Sequence, residues 1–247
     1  MAMAFESLGI PAISLNAFQV GIHTDSNYGD AKIIKIDTNR IEKELAKNKI
    51  VIVTGFQGVN IENDYTTLGR GGSDTTAVAL AAAINADSCE IYTDVDGVFT
   101  ADPRIVKNAI KLESVSYDDM LELSNHGAGV LHNKCVEIAR DNDIKLIVRS
   151  SMSDEEGTAI TKFRDANSHP KITGVTSCDN VVSIIGQNID YNTMDKVTEA
   201  LNKNHFNYDN LSFNDMEICM AVKGSEINSC VNCMHNLFFR RDSNGKI

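Results

Sequence analysis

Positive charge is in short supply in this chain. Its 247 residues carry 23 Lys and Arg against 34 Asp and Glu, a formal charge of −11. That balance argues against nucleic acid or an anionic membrane surface as the principal partner. No run of 18 apolar residues occurs and no charged-then-apolar leader is evident. No membrane span is therefore expected, and a cytoplasmic location is. A disulfide framework is also missing: Cys89, Cys135, Cys178, Cys219, Cys230 and Cys233 are scattered and read as reduced, buried thiols. Cys230-x-x-Cys233 lacks two further ligands at zinc spacing. His23, His126, His132, His169, His205 and His235 each lack the partner spacing of a metal or nucleophile site. Satisfied or exposed histidines are expected, and no metal site.

Three named loops are missing as well. Neither Gly55-Phe56-Gln57-Gly58 nor Gly69–Asp74 is followed by the Lys-Ser or Lys-Thr of a Walker A loop. Asp74 stands where a dinucleotide fingerprint needs its third glycine. Asp94-x-Asp96 opens like a calcium loop, but Val98 and Ile105 occupy ligand positions.

What is present is Thr67-Leu68-Gly69-Arg70-Gly71-Gly72-Ser73-Asp74-Thr75-Thr76, a glycine turn set directly against a helix start. Glycines let a backbone approach a ligand closely, and the first amides of a helix attract an anion. Arg70 offers a planar fork to a carboxylate, and Asp74 an acceptor to an ammonium. Ser73 or Asp74 is expected to cap a buried helix Thr75–Ala86. A second loop, Tyr92–Arg104, begins where the short strand Cys89–Thr93 ends, the usual place for ligands in open α/β sheets.

Apolar content of 43% suits a soluble protein with a sizeable core. Met1–Leu15 reads as a buried helix followed by a strand, and Val20–His23 and Lys32–Ile36 as further strands. Thr38–Asn48 reads as a helix, and Ile50–Thr54 as a strand buried on both faces. Helices Tyr117–Ser124 and Val130–Asp141 and strand Ile144–Ser150 follow. Alternating helices and apolar strands predict an α/β fold with a mostly parallel sheet covered by helices on both faces. Asp165–Pro170 reads as a polar linker. Beyond it come two short strands over Lys171–Gly186, helix Thr193–Lys203, strands near Asn207–Phe213 and Met216–Val222, and helix Glu226–Phe239.

Together these blocks resemble the aspartokinases of the amino-acid kinase superfamily. The matching text is Gly55–Gly58, Thr66–Thr76, Glu90–Val98, Thr100–Arg104 and Leu146–Ser151, in register from Met1 to about Phe163. The resemblance implies a kinase part over 1–165 and a smaller α+β, ACT-like regulatory part over 170–247. Family members open with a strand and a Lys-[Phe/Tyr]-Gly-Gly-[Thr/Ser] phosphate loop, whereas Met1–Gly9 resembles a helix well inside their kinase part. The expectation is therefore an amino-terminally truncated kinase fold without the phosphate-loop Lys, and no residue here is assigned as catalytic. Some relatives carry a Lys where Gly129 stands.

By resemblance, the reaction is phosphoryl transfer from ATP, with its Mg2+, to the side-chain carboxylate of L-aspartate. Arg70, Gly71, Gly72, Ser73 and Asp74 would bind aspartate. Thr93, Asp94, Asp96, Gly97, Val98 and Phe99 would line the nucleotide pocket, with Asp102 and Arg104 near the phosphates. A homodimer through Lys171–Phe239, binding lysine or threonine as effector, is implied too. The alternatives are a non-catalytic regulatory chain that keeps the aspartate half-site, and a kinase for another carboxylate such as glutamate.

Overall fold

The computed structural model describes residues 1–162 and 172–240. The expected linker Asp165–Pro170 and the polar tail after Arg240 lie outside those residues. The chain divides into two compact units. One comprises Met1–Ile91 with Lys134–Leu146; the other comprises Tyr92–Asn133 with the described residues from Ile147 onward.

The first unit opens with helix α1 (Ala2–Ser7) and strand β1 (Ala12–Leu15). The helix is not buried as expected: none of its residues is, and Met3 is 82% exposed. Apolar residues all round a short helix give no stripe that commits one face to a core. Next come α2 (Ala17–Val20), β2 (Ile22–Thr24), β3 (Ile33–Ile36), α3 (Asn39–Leu45) and β4 (Ile50–Val53). Where a strand Val20–His23 is expected, a reciprocal cap between Asn16 and Gln19 winds one helical turn, and left-handed Gly21 ends it. The strand starts only at Ile22.

β1 and β4 pair in parallel, Ala12 with Ile50 through Leu15 with Val53. They form a two-stranded sheet, so β4 is half-exposed rather than buried on both faces. β5 (Gln57–Val59) and β6 (Tyr65–Thr67) complete a second sheet of order β3-β2-β5-β6, in which only β2 and β5 run parallel. Leu15, Val20, Ile22, Ile41 and Val59 form the core, with Leu80 and Ile84 packed against it. Those last two belong to α4 (Gly72–Ala83) and the residue that caps it.

β7 (Cys89–Thr93) leads into the second unit, which continues through β8 (Ser114–Ser116) and α5 (Tyr117–Asn125). Helix α6 (Asn133–Asp141) returns to the first unit, three residues shorter at its start than expected. β9 (Leu146–Ser150) and β10 (Thr158–Thr161) then build a sheet of order β7-β9-β10-β8, with β8 and β10 parallel. The α/β class is as the pattern predicts, with its strands spread over several short sheets.

A further antiparallel sheet, β11-β12-β14-β13, is made of β11 (Ile172–Cys178), β12 (Val181–Gly186), β13 (Tyr208–Phe213) and β14 (Glu217–Val222). Helices α7 (Tyr191–Lys203) and α8 (Ile227–Phe239) share its core: Val197, Leu201, Cys230, Val231 and Met234 pack with Ile184, Ile218 and Met220. The apolar stripe of α7 is thus spent inside the unit. β14 lies between β12 and β13, so β11 and β13 are the edges of this sheet. No described helix is long and apolar enough to cross a membrane.

Candidate functional site

The expected residues fall in two groups, one in each unit. In the first unit, Gly71 takes the left-handed conformation (φ 67°) and becomes the N-cap of α4 itself. The helix therefore starts three residues earlier than Thr75, and neither Ser73 nor Asp74 caps it; both sit in its first turn. Thr75 and Thr76 hydroxyls donate to the carbonyls of Gly71 and Gly72, at 2.9 and 2.7 Å. Thr76 Oγ1 also accepts the amide of Phe56 at 3.0 Å, tying the Gly55–Gly58 turn to the helix.

Two glycines have steric reasons. Gly69 sits at φ +74°, and a Cβ there would land on the Asp30 carboxylate. A Cβ on Gly72 would come within 2.6 Å of the Phe56 ring. Phe56 itself holds a left-handed φ of 71°, unusual for a bulky residue and a mark of a constrained turn. The loop is thus clamped from behind. Arg70 and Ser73 are exposed and Asp74 is half-buried. Asp74 reaches Cys89 electrostatically: burial first, then this carboxylate, pushes that thiol up to about 11.

In the second unit, Thr158 organises the strand-end loop. Its Oγ1 accepts the Val98 amide at 2.9 Å and donates to the Leu112 carbonyl at 2.6 Å. Val98 is 1% exposed, its amide taken by Thr158 and its carbonyl by the Leu112 amide, so it supports the loop from beneath and presents no free group at the surface. Asp94 and Asp96 are exposed, and Phe99 is half-buried. Asp96 accepts from Ser153 at 3.1 Å, and Asp94 from Thr93 at 3.2 Å. Asp102 accepts a two-pronged bond from Arg104, Nε at 3.0 Å and Nη2 at 2.7 Å. That bond holds the Asp102 carboxyl below its ordinary range against the opposing effect of burial. Arg104 is 89% exposed.

A family model described as "Amino acid kinase family" matches residues 1–150. The chain belongs to that family. Among curated relatives, it is 47% identical over 240 residues to the aspartokinase of Bacillus sp. (strain MGA3), covering 90% of this chain and 58% of the relative. It is 48% identical over 211 residues to aspartokinase 2 of Bacillus subtilis (strain 168), covering 85% and 52%. The chain thus spans little more than half the length of these relatives. In three dimensions it superposes on E. coli aspartokinase III in complex with aspartate and ADP, with a TM-score of 0.84. That match is at 20% identity and covers 97% of this chain and 72% of that one. At such identity the likeness speaks for the fold.

Within this member of the family, the fold also recruits residues that carry no local signal in the sequence. Lys134, at the start of α6, forms an ion pair with Asp30 and donates to the Leu68 carbonyl at 3.4 Å, bringing a cation to the back of the glycine loop. Thr158 is sixty residues from its partner Val98. Arg149 stacks over Tyr92, 5.6 Å from the ring centre. A hollow of about 370 Å3 lined by Phe18, His23, Arg40 and Lys43 includes none of the expected site residues.

Proposed function

We propose that the chain carries the aspartate and nucleotide sites of an aspartokinase, transferring the γ-phosphoryl of ATP to the side-chain carboxylate of L-aspartate. The observation that carries this reading is the clamped glycine turn at the start of α4, with Arg70 exposed and Asp74 in the first helical turn. Identity near one half to proteins named aspartokinase supports it. In this reading Arg70 grips a substrate carboxylate and Asp74 the ammonium, with the amides of Gly71 and Gly72 and the Ser73 hydroxyl around them. Thr93, Asp94, Asp96, Gly97, Val98 and Phe99 border the nucleotide, and Asp102 holds the Arg104 fork toward its phosphates. The attacking carboxylate is already ionised at neutral pH, so no general base is required. Its oxygen forms the new bond to phosphorus as the bond to the ADP oxygen breaks. Positioning and charge stabilisation carry the rate, with Mg2+ arriving on the nucleotide. Such chemistry suits the cytoplasm.

The antiparallel sheet of β11–β14 with α7 and α8 supports a regulatory role for the C-terminal part, assigned here to 170–247 beside a kinase part over 1–165. In this reading it is ACT-like, pairs with a second copy through an exposed sheet edge, and binds lysine or threonine. E. coli aspartokinase III, a structural neighbour, has been solved with lysine and aspartate.

ADP release, measured with aspartate or glutamate and with lysine or threonine added, tests the reading. Aspartate should turn over and glutamate should not. Arg70→Ala should raise the aspartate KM about tenfold or more, the scale of a lost charged hydrogen bond, and leave the ATP KM within about twofold. Equal rates with glutamate would remove the aspartate assignment. Aspartate binding without turnover would favour the non-catalytic alternative.

A further inference from the structure

Strand β14 has two chemically different faces. Ile218, Met220 and Val222 point into the core shared with α7 and α8. Glu217 and Cys219, two residues apart, share the opposite face. There they meet the C-terminal end of α5, where His126 is the C-cap and Glu122 lies one turn earlier. The Thr176 hydroxyl holds the carbonyl of His126 at 3.1 Å.

The resulting cluster brings nitrogen, sulfur and carboxylate oxygen to one half-buried spot. His126 Nε2 is 2.5 Å from Glu217 Oε2 and 3.7 Å from Glu122 Oε2. Cys219 Sγ is 3.4 Å from Glu217 Oε2 and 4.0 Å from His126 Nδ1. Ser183, paired with Cys219 across β12 and β14, has its hydroxyl 3.1 Å from His126 Nδ1. His126, Glu217 and Cys219 each offer one ligand atom within 4.8 Å of the others. A helix tied to a sheet needs only the His126–Glu217 bond. The thiol and the second carboxylate go beyond that need.

We infer that Glu122, His126, Glu217 and Cys219 form a structural site for a zinc-class divalent cation, joining the end of α5 to β14. Donor chemistry selects the metal. Imidazole and thiolate suit a borderline-soft ion, whereas Mg2+ and Ca2+ prefer all-oxygen shells. Donors about 2.0–2.3 Å from a tetrahedral ion stand about 3.3–3.8 Å apart, and Cys219 Sγ stands 3.4 Å from Glu217 Oε2. The ion replaces the short His126–Glu217 hydrogen bond with two coordinate bonds, so those two atoms part by about 1 Å. Glu122, 3.7 Å from His126 Nε2 but outside the trio already within reach of one another, turns its carboxylate inward to close the fourth position, and four protein ligands make a structural site rather than a catalytic one. Burial, with the Glu217 carboxylate beside it, pushes the Cys219 thiol up to about 11. Metal uptake therefore exchanges the thiol proton, released to solvent, for the cation. The six histidines gave no such hint in the sequence because His126 and Cys219 lie 93 residues apart.

Titration of the full chain with Co2+ and then Zn2+ tests this. One cobalt per chain should bind with a thiolate charge-transfer band, and Zn2+ should displace it and raise the melting temperature. Cys219→Ser should abolish the band and weaken Zn2+ binding on the order of a hundredfold. His126→Asn should weaken it similarly, so that one poorly folded variant, recognised by circular dichroism, does not decide the matter. The double variant Cys230→Ser, Cys233→Ser should bind as the parent does. Absence of a thiolate band, a band that survives Cys219→Ser, or one lost with Cys230 and Cys233 overturns the inference.

Discussion

In the loop at Gly69–Asp74 the backbone itself is the device. Left-handed glycines, a left-handed Phe56 and close approach to Asp30 leave little room for another course. In the loop at Asp94–Arg104 one such glycine, Gly97 at φ +143°, is joined by side chains that fix the course, with Thr158 pinning Val98 and Asp102 holding Arg104. The first loop is shaped mainly by which atoms are missing, the second mainly by which polar atoms are present. A chain that must crowd amides around a small anion gains from the first device. A loop that follows a larger ligand can be built from exchangeable side-chain bonds. The two loops should therefore fail differently when altered.

The largest effect is expected in the first loop. Gly69→Ala adds a Cβ at φ +74° and drives it into Asp30, which Lys134 holds. Strained dihedral and displaced ion pair together should cost about 2–4 kcal/mol, read as a lower urea midpoint with an unchanged slope. A loss under about 0.5 kcal/mol would mean the loop adapts freely, and the contrast between the loops would disappear.

Next comes Thr158→Val, nearly the same shape without the hydroxyl. Thr158 is fully buried, so the Val98 amide and the Leu112 carbonyl each lose a partner away from water. The cost should be about 1–3 kcal/mol. If the second loop serves the nucleotide, the ATP KM should also rise while the aspartate KM stays put. A change confined to aspartate would reverse the assignment of the two loops.

Much of this is legible in the sequence. Helix α4, strand β7 and the helix–strand alternation follow from apolar runs bounded by glycine and polar residues, which are local signals. The caps moved because Gly71, rather than Ser73 or Asp74, supplied the turn into the helix. Apolarity alone misread α1 and β4, since burial depends on what covers a face and not on its composition. Thr158, Lys134 and the His126–Cys219 pairing were invisible for one reason. Each acts on residues dozens of positions away, and spacing along a chain carries no record of such meetings.

The smallest effect concerns the Asp102–Arg104 pair. The Arg104 side chain lies 89% exposed, so solvent screens the pair and its worth at neutral pH should be smaller than that of either change above. Asp102 titrates below its ordinary value of 3.8 in the folded chain, chiefly because Arg104 bonds its ionised form. Its contribution is therefore complete above the unfolded value and fades as pH falls through the folded one. Asp102→Asn keeps an acceptor for the Arg104 amide, which now bonds Asp102 Oδ1 at 2.8 Å, but loses the charge. Parent and variant should differ in urea midpoint at pH 7 and converge in acid, below the folded value of Asp102. A difference that persists unchanged in acid would show that Asp102 acts by shape, as the glycines do, and not by charge.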